Sequence, residues 1–230
     1  VWLLPAGGGE ARALTDFPGG VQDFAWAPDG RRLAVIALDP ERPAAGEKPK
    51  QLPPVVIDRY YFKEDISGYL GRRRQHLYVF DLGTGTAELL TPGEHDEYLP
   101  AWSPDGSRIA YVTKRGADAD RHFNFDLYVI EPRAGAVERQ VTRFEGADLS
   151  PDWLTYPAWS PDGTRIAYLQ GGEDRWIYYS TYQLAVVDVA TGATRLPAPI
   201  DRPFSRLRWG PDGRSVYALV EESRVTRLSR

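Results

Sequence analysis

The fold is decided by one short stretch, Trp102-Ser103-Pro104-Asp105-Gly106, because the chain contains four copies of it. The other copies are Trp26-Ala27-Pro28-Asp29-Gly30, Trp159-Ser160-Pro161-Asp162-Gly163 and Trp209-Gly210-Pro211-Asp212-Gly213. In such a turn proline presets φ at the second position, aspartate suits the third, and glycine takes the left-handed conformation that follows. Since a short apolar run follows each copy, each predicts a tight hairpin between two strands.

A second repeated element precedes each tryptophan. Val1–Thr15 aligns without gaps on Leu77–Thr91, and Leu127–Thr142 and Leu184–Leu196 are further copies. The first residue of the element lies 25 residues before the tryptophan in three copies (1 to 26, 77 to 102, 184 to 209). In the copy that begins at residue 127 the spacing is 32, because residues 144–154 hold an insertion. Each repeat is therefore predicted to form four short antiparallel strands.

Apolar runs such as Leu77-Tyr78-Val79-Phe80 and Leu184-Ala185-Val186-Val187 have no polar alternation. A strand with one solvent-exposed face would alternate apolar and polar residues, so these sheets are expected to be covered by protein on both faces. Stacking of blade against blade gives that cover in a β-propeller. A β-sandwich is the alternative, but it would not need the same turn at the same offset four times. The predicted fold class is all-β, a β-propeller arc of four-stranded antiparallel blades.

The strand pairs divide the chain into five units if the tryptophan strand is innermost. We expect an outer half-blade, three complete blades and an inner half-blade, taken as an open fragment of a larger ring. These units are half-blade 1 (residues 1–15), blade 2 (21–91, with an insertion at 38–75), blade 3 (98–142), blade 4 (155–197) and half-blade 5 (204–230).

The strands are joined by two kinds of connection, which lie on opposite faces of this arc. Turns of the Pro-Asp-Gly and Thr-Gly type, such as Thr84-Gly85, are short and define the tight-turn face. The other connections vary in length and define the elaborated face, which the insertion at 38–75 dominates. Within the insertion, 40–54 is rich in Pro, Lys, Glu and Ala and predicts a mobile loop, whereas 55–70 regains strand character and predicts a projecting hairpin that turns near 65–68.

Aromatic and arginine side chains on a projecting hairpin favour a contact surface, with packing onto the neighbouring blade left open as the alternative. An aromatic loop at 175–179 lies on the same predicted face. The candidate residues for contact with a substrate or another domain are Arg59, Tyr61, Tyr69, Arg72, Arg74 and Trp176.

At this point the sequence resembles a known group of proteins. The Trp-Ser-Pro-Asp-Gly-x-x-Ile-Ala-Tyr repeats are similar to the propellers of TolB-like proteins and of the prolyl oligopeptidase family of serine peptidases. The insertion, with Val56-Ile57-Asp58-Arg59, Phe62-Lys63, Gly68-Tyr69-Leu70 and 74–79, resembles the acylaminoacyl-peptidase and dipeptidyl-peptidase-like branch. The resemblance covers essentially the whole chain.

The resemblance implies a non-catalytic propeller that caps a C-terminal α/β-hydrolase domain with a Ser-Asp-His triad and limits entry to peptides. The implied partners are that hydrolase domain and a peptide substrate. Two alternatives stay open, namely a TolB-like propeller that acts by protein–protein contact and a sugar-binding or lyase propeller.

No catalytic residue, metal or cofactor is predicted within the chain itself. The nucleophile elbow Gly-x-Ser-x-Gly is absent, and the nearest approach, 213–217, belongs to a hairpin. His76 is expected to be structural, whereas His95 and His122 lie in acidic clusters (94–97 and 118–122) that are expected to be solvated loops.

Composition argues against several other functions. A net charge of −4 does not favour nucleic-acid binding, and no apolar run reaches membrane-spanning length. The chain has no cysteine, so it has neither disulfides nor thiolate metal sites. No signal peptide is visible, which leaves the compartment undetermined, with the cytoplasm expected in preference to the periplasm.

Overall fold

The computed structural model describes residues 1–40, 54–65, 68–116, 119–153, 155–176, 179–197 and 200–230. The described chain is an arc of antiparallel sheets with three short 3-10 turns, at Ala119–Arg121, Pro151–Trp153 and Asp174–Trp176. In this part of the chain no helix is long and apolar enough to span a membrane. The predicted all-β propeller arc is confirmed.

The strands follow the repeats. In chain order they are β1 Trp2–Leu3, β2 Arg12–Ala13, β3 Val21–Trp26, β4 Arg32–Leu38, β5 Lys63–Glu64, β6 Gly68–Tyr69, β7 Gln75–Asp81, β8 Thr86–Leu89, β9 Glu97–Trp102, β10 Ile109–Thr113, β11 Asp126–Ile130, β12 Arg139–Gln140, β13 Gly146–Asp148, β14 Ala158–Trp159, β15 Arg165–Glu173, β16 Gln183–Asp188, β17 Thr194–Arg195, β18 Phe204–Trp209, β19 Val216–Glu222 and β20 Val225–Ser229.

These strands form sheets in the order β1-β2, β3-β4-β7-β8, β9-β10-β11-β12 and β18-β19-β20, with β5-β6 as a separate hairpin. The sheet of blade 4 has five strands, because β13 and β14 both pair with the long strand β15. The extra strand β13, Gly146–Asp148, comes from the insertion that lengthens this repeat. This sheet therefore begins earlier in the chain than the predicted boundary at residue 155.

The core lies between the sheets, and one strand shows why its sequence is apolar throughout. In β10, Ile109 and Tyr111 belong to the apolar cluster shared with blade 2. Their neighbours Ala110 and Val112 belong to the cluster shared with blade 4. Because successive side chains of a strand point to opposite faces, β10 fills two cores at once.

The repeated tryptophan is fixed to the preceding blade by a set of contacts that we call the interblade clamp. In its first copy, the Trp102 indole Nε1 donates to the Ala25 carbonyl at 3.1 Å. The Arg32 guanidinium of blade 2 lies 4.9 Å from the centre of the Trp102 ring and donates to the Gly106 carbonyl at 3.4 Å. One arginine thus binds both the ring and the turn of the next blade.

The clamp recurs at the next two interfaces. Arg108 lies 5.0 Å from the Trp159 ring and donates to Gly163 at 2.8 Å, while Trp159 donates to Ala101 at 3.0 Å. Arg165 lies 4.7 Å from the Trp209 ring and donates to Gly213 at 2.7 Å, while Trp209 donates to Ala158 at 2.8 Å. The sequence pattern indicated the tryptophan and the glycine, but the arginine two residues after the glycine was missed.

The aspartate of each turn holds the turn closed. In blade 3 the Ser103 hydroxyl donates to Asp105 at 2.6 Å and the Ser107 amide donates at 3.1 Å. These hydrogen bonds favour the ionised carboxylate and lower the pKa of Asp105 to about 2. The glycine that follows has φ 68°, a left-handed value that strains any residue with a Cβ. The repeat is therefore set by turn chemistry as well as by packing.

Candidate contact surface on the elaborated face

The insertion of blade 2 leaves β4 after Leu38 and returns at Gln75. Among the described residues of the insertion, Lys63–Glu64 and Gly68–Tyr69 pair as strands, which gives a hairpin shorter than the predicted 55–70. Residues 55–57, which the sequence suggested as strand, are irregular and exposed. Residues 41–53 of the predicted mobile loop, and residues 66–67 of the predicted turn, lie outside the described residues.

An ion pair fastens the insertion to blade 3. The Arg59 guanidinium donates to both carboxylate oxygens of Asp120, with Nε–Oδ2 at 3.1 Å, and Nη1 donates to the Gly71 carbonyl at 3.2 Å. The Tyr61 amide also donates to Asp120, at 2.9 Å. The hydrogen bond from Arg59 lowers the pKa of Asp120, so the pair stays ionised near neutral pH. Arg59 acts here as an anchor of the insertion.

The 3-10 turn of blade 3 that holds Asp120 makes a second contact with the insertion. The Arg121 guanidinium lies 4.7 Å from the centre of the Tyr60 ring. Residues 118–122 were expected to be a solvated loop, but Asp120 and Arg121 both engage the insertion. Residue 118 lies outside the described residues. The sequence did not predict these contacts, because the spacing of acidic residues in a loop does not indicate which distant arginine will pair with them.

The other two candidate arginines differ in their surroundings. Arg74 Nη1 contacts Asp96 Oδ2 at 3.0 Å, and the Gln75 amide donates to Asp96 at 2.9 Å. Arg74 is partly buried, and its ion pair with Asp96 holds the base of the insertion against blade 3. Arg72 is exposed and pairs with Asp58 within the insertion itself. Because such exposed pairs contribute little to stability, Arg72 can exchange its partner at little cost.

Large apolar side chains remain exposed along the insertion. Tyr69 is 59% exposed and stacks on Phe62, with ring centroids 6.5 Å apart. Tyr61 is also exposed. We define the insertion surface as the exposed residues Val55, Val56, Ile57, Tyr60, Phe62 and Tyr69. These side chains are exposed, and one of them, Tyr60, also contacts Arg121 of blade 3, so exposure and packing onto the neighbouring blade both occur on this surface.

Trp176 lies apart from this surface. It is half-exposed and closes the 3-10 turn between β15 and β16 of blade 4, with the Arg175 guanidinium 5.3 Å from its ring. Within the described ranges, no hydrogen bond or ring contact joins Trp176 to the insertion. The structure thus gathers five of the six candidate residues on the insertion and leaves the sixth on another blade.

A buried polar network lies beneath the insertion, and sequence reasoning did not find it. His76 Nδ1 is 3.4 Å from Glu97 Oε2, which also accepts a hydrogen bond from the Thr91 hydroxyl at 3.0 Å. Arg115 Nη2 donates to Glu97 Oε1 at 3.2 Å and to Glu138. The hydrogen bond with Glu97 raises the pKa of His76. The network joins blades 2 and 3, which agrees with the structural role expected for His76.

The stretch 213–217, the nearest approach to a nucleophile elbow, belongs to the hairpin between β18 and β19. The Ser215 hydroxyl lies beside a hairpin turn and accepts a hydrogen bond from Arg230 Nε at 2.8 Å. No group of three His, Cys, Asp or Glu residues converges as a metal site within the described ranges. The distinctive feature of the elaborated face is therefore an anchored, exposed apolar surface.

Comparison with known proteins shows which propellers this chain is similar to. Residues 71–175 match the family described as the dipeptidyl peptidase IV (DPP IV) N-terminal region. A curated relative, dipeptidyl-peptidase 5 of Porphyromonas gingivalis, is 30% identical over 131 residues, which cover 56% of this chain and 18% of that protein. These matches support the resemblance of this chain to the N-terminal propeller of prolyl oligopeptidase-family peptidases.

Solved structures support the fold of this propeller segment. The acylaminoacyl peptidase of Pyrococcus horikoshii superposes with a TM-score of 0.66 at 15% identity, covering 95% of this chain and 31% of that one. TolB of Acinetobacter baumannii superposes with a TM-score of 0.61 at 16% identity, covering 99% of this chain and 44% of that one. The match spans about a fifth of the length of the dipeptidyl-peptidase relative.

Proposed function

We propose that the segment is the non-catalytic propeller of a serine peptidase, where it caps an α/β-hydrolase domain and restricts access to short peptides. The observation that carries this proposal is the insertion surface, an exposed apolar surface on the elaborated face of a peptidase-type propeller. Apolar surface of this kind on one side of a domain is typical of a contact with a ligand or another domain. Arg59, Tyr61, Tyr69, Arg72, Arg74 and Trp176 remain the candidate contact residues.

Two anchors support a role in contact because they hold the surface in place. Arg59–Asp120 and Arg74–Asp96 both join the insertion or its base to blade 3. A surface that is ordered before binding loses less conformational entropy when a partner arrives. In this arrangement Tyr69 and Phe62 supply apolar contact area, while the exposed Arg72 offers a guanidinium to a peptide carboxylate or to an acidic group of the hydrolase domain.

The alternative is a TolB-like propeller that binds other proteins without a hydrolase domain. The superposition on TolB favours it only through the fold, which both kinds of protein share. The two functions differ in the complete gene product, since only a peptidase has a Gly-x-Ser-x-Gly elbow after the propeller.

The test uses the complete protein that the gene encodes and this 230-residue chain side by side. We expect the complete protein, but not the chain alone, to cleave dipeptide and N-acyl-aminoacyl chromogenic substrates. The double variant Phe62→Ser/Tyr69→Ser should change the ratio of kcat/KM between short and longer peptides severalfold. The matched control is Val137→Ser, which alters an exposed apolar residue on the tight-turn face.

Two results would contradict the proposal. A complete protein without a nucleophile elbow and without peptidase activity would favour the binding-module alternative. If the double variant has the same selectivity as the control, the insertion surface takes no part in substrate access. The resemblance to the peptidase family would be unaffected.

A further inference from the structure

Two buried polar sites occupy equivalent places on the elaborated face, one between blades 2 and 3 and one between blades 3 and 4. Thr91 and Thr142 hold the same position of the repeat, and each hydroxyl accepts a hydrogen bond at 2.9 Å from a backbone amide of its own blade. Six residues after each threonine comes a buried carboxylate, Glu97 (91 to 97) or Asp148 (142 to 148). We call the two places the His76 site and the Asp148 site.

The two sites differ in charge. In the His76 site, Glu97 has two basic neighbours, His76 Nδ1 at 3.4 Å and Arg115 Nη2 at 3.2 Å. In the Asp148 site the counterpart of His76 is Asp126, since each comes directly before the repeat element. The counterpart of Arg115 is Gly172, since both lie 13 residues after the repeated tryptophan (102 to 115 and 159 to 172). Where the His76 site has two basic groups, the Asp148 site thus has a second carboxylate and no side chain.

The carboxylates of the Asp148 site are buried, and one oxygen has no partner. Asp148 is fully buried and Asp126 is 8% exposed. Each carboxylate accepts from one amide at 2.9 Å, Asp148 Oδ1 from Gln170 and Asp126 Oδ2 from Gln140. The Thr142 hydroxyl donates to Asp126 Oδ1 at 3.3 Å. Among the described residues, no hydrogen-bond donor reaches Asp148 Oδ2, and an unsatisfied buried oxygen of this kind is costly.

The charges around the pair leave it negative. The exposed Arg143 acts on Asp126 through its charge, without a hydrogen bond. Burial raises the pKa of both carboxyl groups, and the nearby Asp148 raises that of Asp126 further. Protons can therefore satisfy the pair at low pH. Above these pKa values the junction between the blades holds two buried negative charges, which are stable only when a cation pairs with them.

We propose that Asp126 and Asp148 bind a divalent cation of the calcium type between blades 3 and 4, which supplies the positive charge that basic side chains supply at the His76 site. The donor set is all oxygen, with two carboxylates and the Thr142 hydroxyl, and Ca²⁺ prefers such ligands, with carbonyl oxygens or water completing its shell. The two glutamine amides each hold one oxygen of a carboxylate, which leaves Asp126 Oδ1 and Asp148 Oδ2 for the ion.

The ion would strengthen a junction that the backbone already makes. Asp148 belongs to β13, the extra strand in the sheet of blade 4, and its amide donates to the Phe125 carbonyl of blade 3 at 2.7 Å. An ion shared by Asp126 and Asp148 adds a second tie across the same junction. In calcium-free buffer, protons take the place of the ion. This inference does not depend on the peptidase role.

The test measures calcium binding by the complete protein that the gene encodes, with CaCl₂ as the probe after calcium has been removed with a chelator. Titration calorimetry at pH 8 should show one calcium ion fewer per molecule in Asp148→Asn and in Asp126→Asn than in the original protein. The matched control, Glu145→Gln, removes an exposed carboxylate from the same insertion of blade 4 and should bind as many ions as the original protein. Because calcium displaces the protons that the pair holds, its affinity for this site should fall about tenfold from pH 8 to pH 6.

A further variant tests the comparison between the two sites. Asp126→His introduces at the Asp148 site the residue type that pairs with Glu97 at the His76 site, so the variant should bind one calcium ion fewer and should not need the ion for local order. Hydrogen exchange measures that order. Calcium should slow exchange severalfold across β11 and β13 in the original protein, but not in Asp126→His or Asp148→Asn.

Three results would overturn the proposal. One is an equal number of bound calcium ions in the original protein, both asparagine variants and the control. Another is the same slowing of exchange by NaCl at equal ionic strength, which would mean that salt only screens the two carboxylates. The third is unchanged exchange across β11 and β13 of the original protein when calcium is added, a result that requires no variant to fold.

Discussion

The tight-turn face and the elaborated face of this propeller segment are held together in different ways. The tight-turn face repeats one set of contacts, with an arginine, a tryptophan and a turn glycine at each of three interfaces. On the elaborated face, the ties that hold the insertion to blade 3 are each made once, as in Arg59–Asp120 and Arg74–Asp96. The comparison indicates that the repeated contacts join one blade to the next, whereas the unrepeated ion pairs fix the position of the insertion.

The largest effect should come from breaking the repeated contact. Trp159→Ala removes a buried indole, its hydrogen bond to Ala101 and its contact with Arg108, and should lower the free energy of unfolding by about 3–5 kcal/mol. Trp26→Ala makes the same change at an uncovered site and should cost about 0.5 kcal/mol. Urea denaturation of both variants measures the difference. Equal losses would show that the clamp does not account for the role of the repeated tryptophan.

The same contrast explains how much could be predicted from the sequence. The turns, the four-stranded repeats and the double-faced core were predictable, because Pro-Asp-Gly and runs such as Ile109-Ala110-Tyr111-Val112 carry local physical meaning. Arg32 was missed because its partner Trp102 lies in the next blade, 70 residues further along the chain (32 to 102). Contacts between blades leave no pattern in the local sequence. They can be predicted only when the arginines that recur at the same position of the repeat are compared as well.

The elaborated face was predicted less well for a related reason. The sequence indicated a projecting hairpin with candidate arginines, but it did not distinguish the partly buried anchors Arg59 and Arg74 from the exposed Arg72. That distinction depends on Asp120 and Asp96, which come from other segments. Asp126 and Asp148 were also overlooked, since a carboxylate in a strand gives no sign of burial until the neighbouring sheet is placed.

A change in folding stability with pH, intermediate in size, is expected from two buried aspartates on the elaborated face of blades 3 and 4. Burial raises the pKa of Asp148 to about 6, and burial together with the nearby Asp148 raises the pKa of Asp126 to about 7. Asp148 accepts from Gln170 Nε2 at 2.9 Å, but its Oδ2 has no hydrogen-bond partner. The folded chain therefore holds protons that the unfolded chain has released, and stability falls as pH rises from about 4 through these pKa values.

Asp148→Asn should remove most of this dependence. The amide keeps an acceptor for Gln170 and carries no charge, so the variant should be more stable than the original chain at pH 8, by about 2–3 kcal/mol, and similar at pH 4. Thermal or urea denaturation between pH 4 and pH 8 measures the slope. Asp152→Asn, at an exposed position in the adjacent 3-10 turn, is the matched control and should leave the slope unchanged. An unaltered slope in Asp148→Asn would contradict the prediction.

The smallest effect on global stability should come from one tie of the insertion, the Arg59–Asp120 ion pair. Arg59→Ala removes a surface-side ion pair with Asp120 and one hydrogen bond to the Gly71 carbonyl, and should cost about 1 kcal/mol or less. Its local effect should be larger, because Asp120 is the residue that receives both the guanidinium and the Tyr61 amide. Hydrogen exchange should therefore become severalfold faster across the insertion while the blade strands β9 and β10 keep their protection. Arg72→Ala, which breaks an exposed pair inside the insertion, should leave both regions unchanged. Faster exchange throughout blade 3 would show instead that this tie stabilises the propeller itself, and the contrast between the two faces would no longer hold.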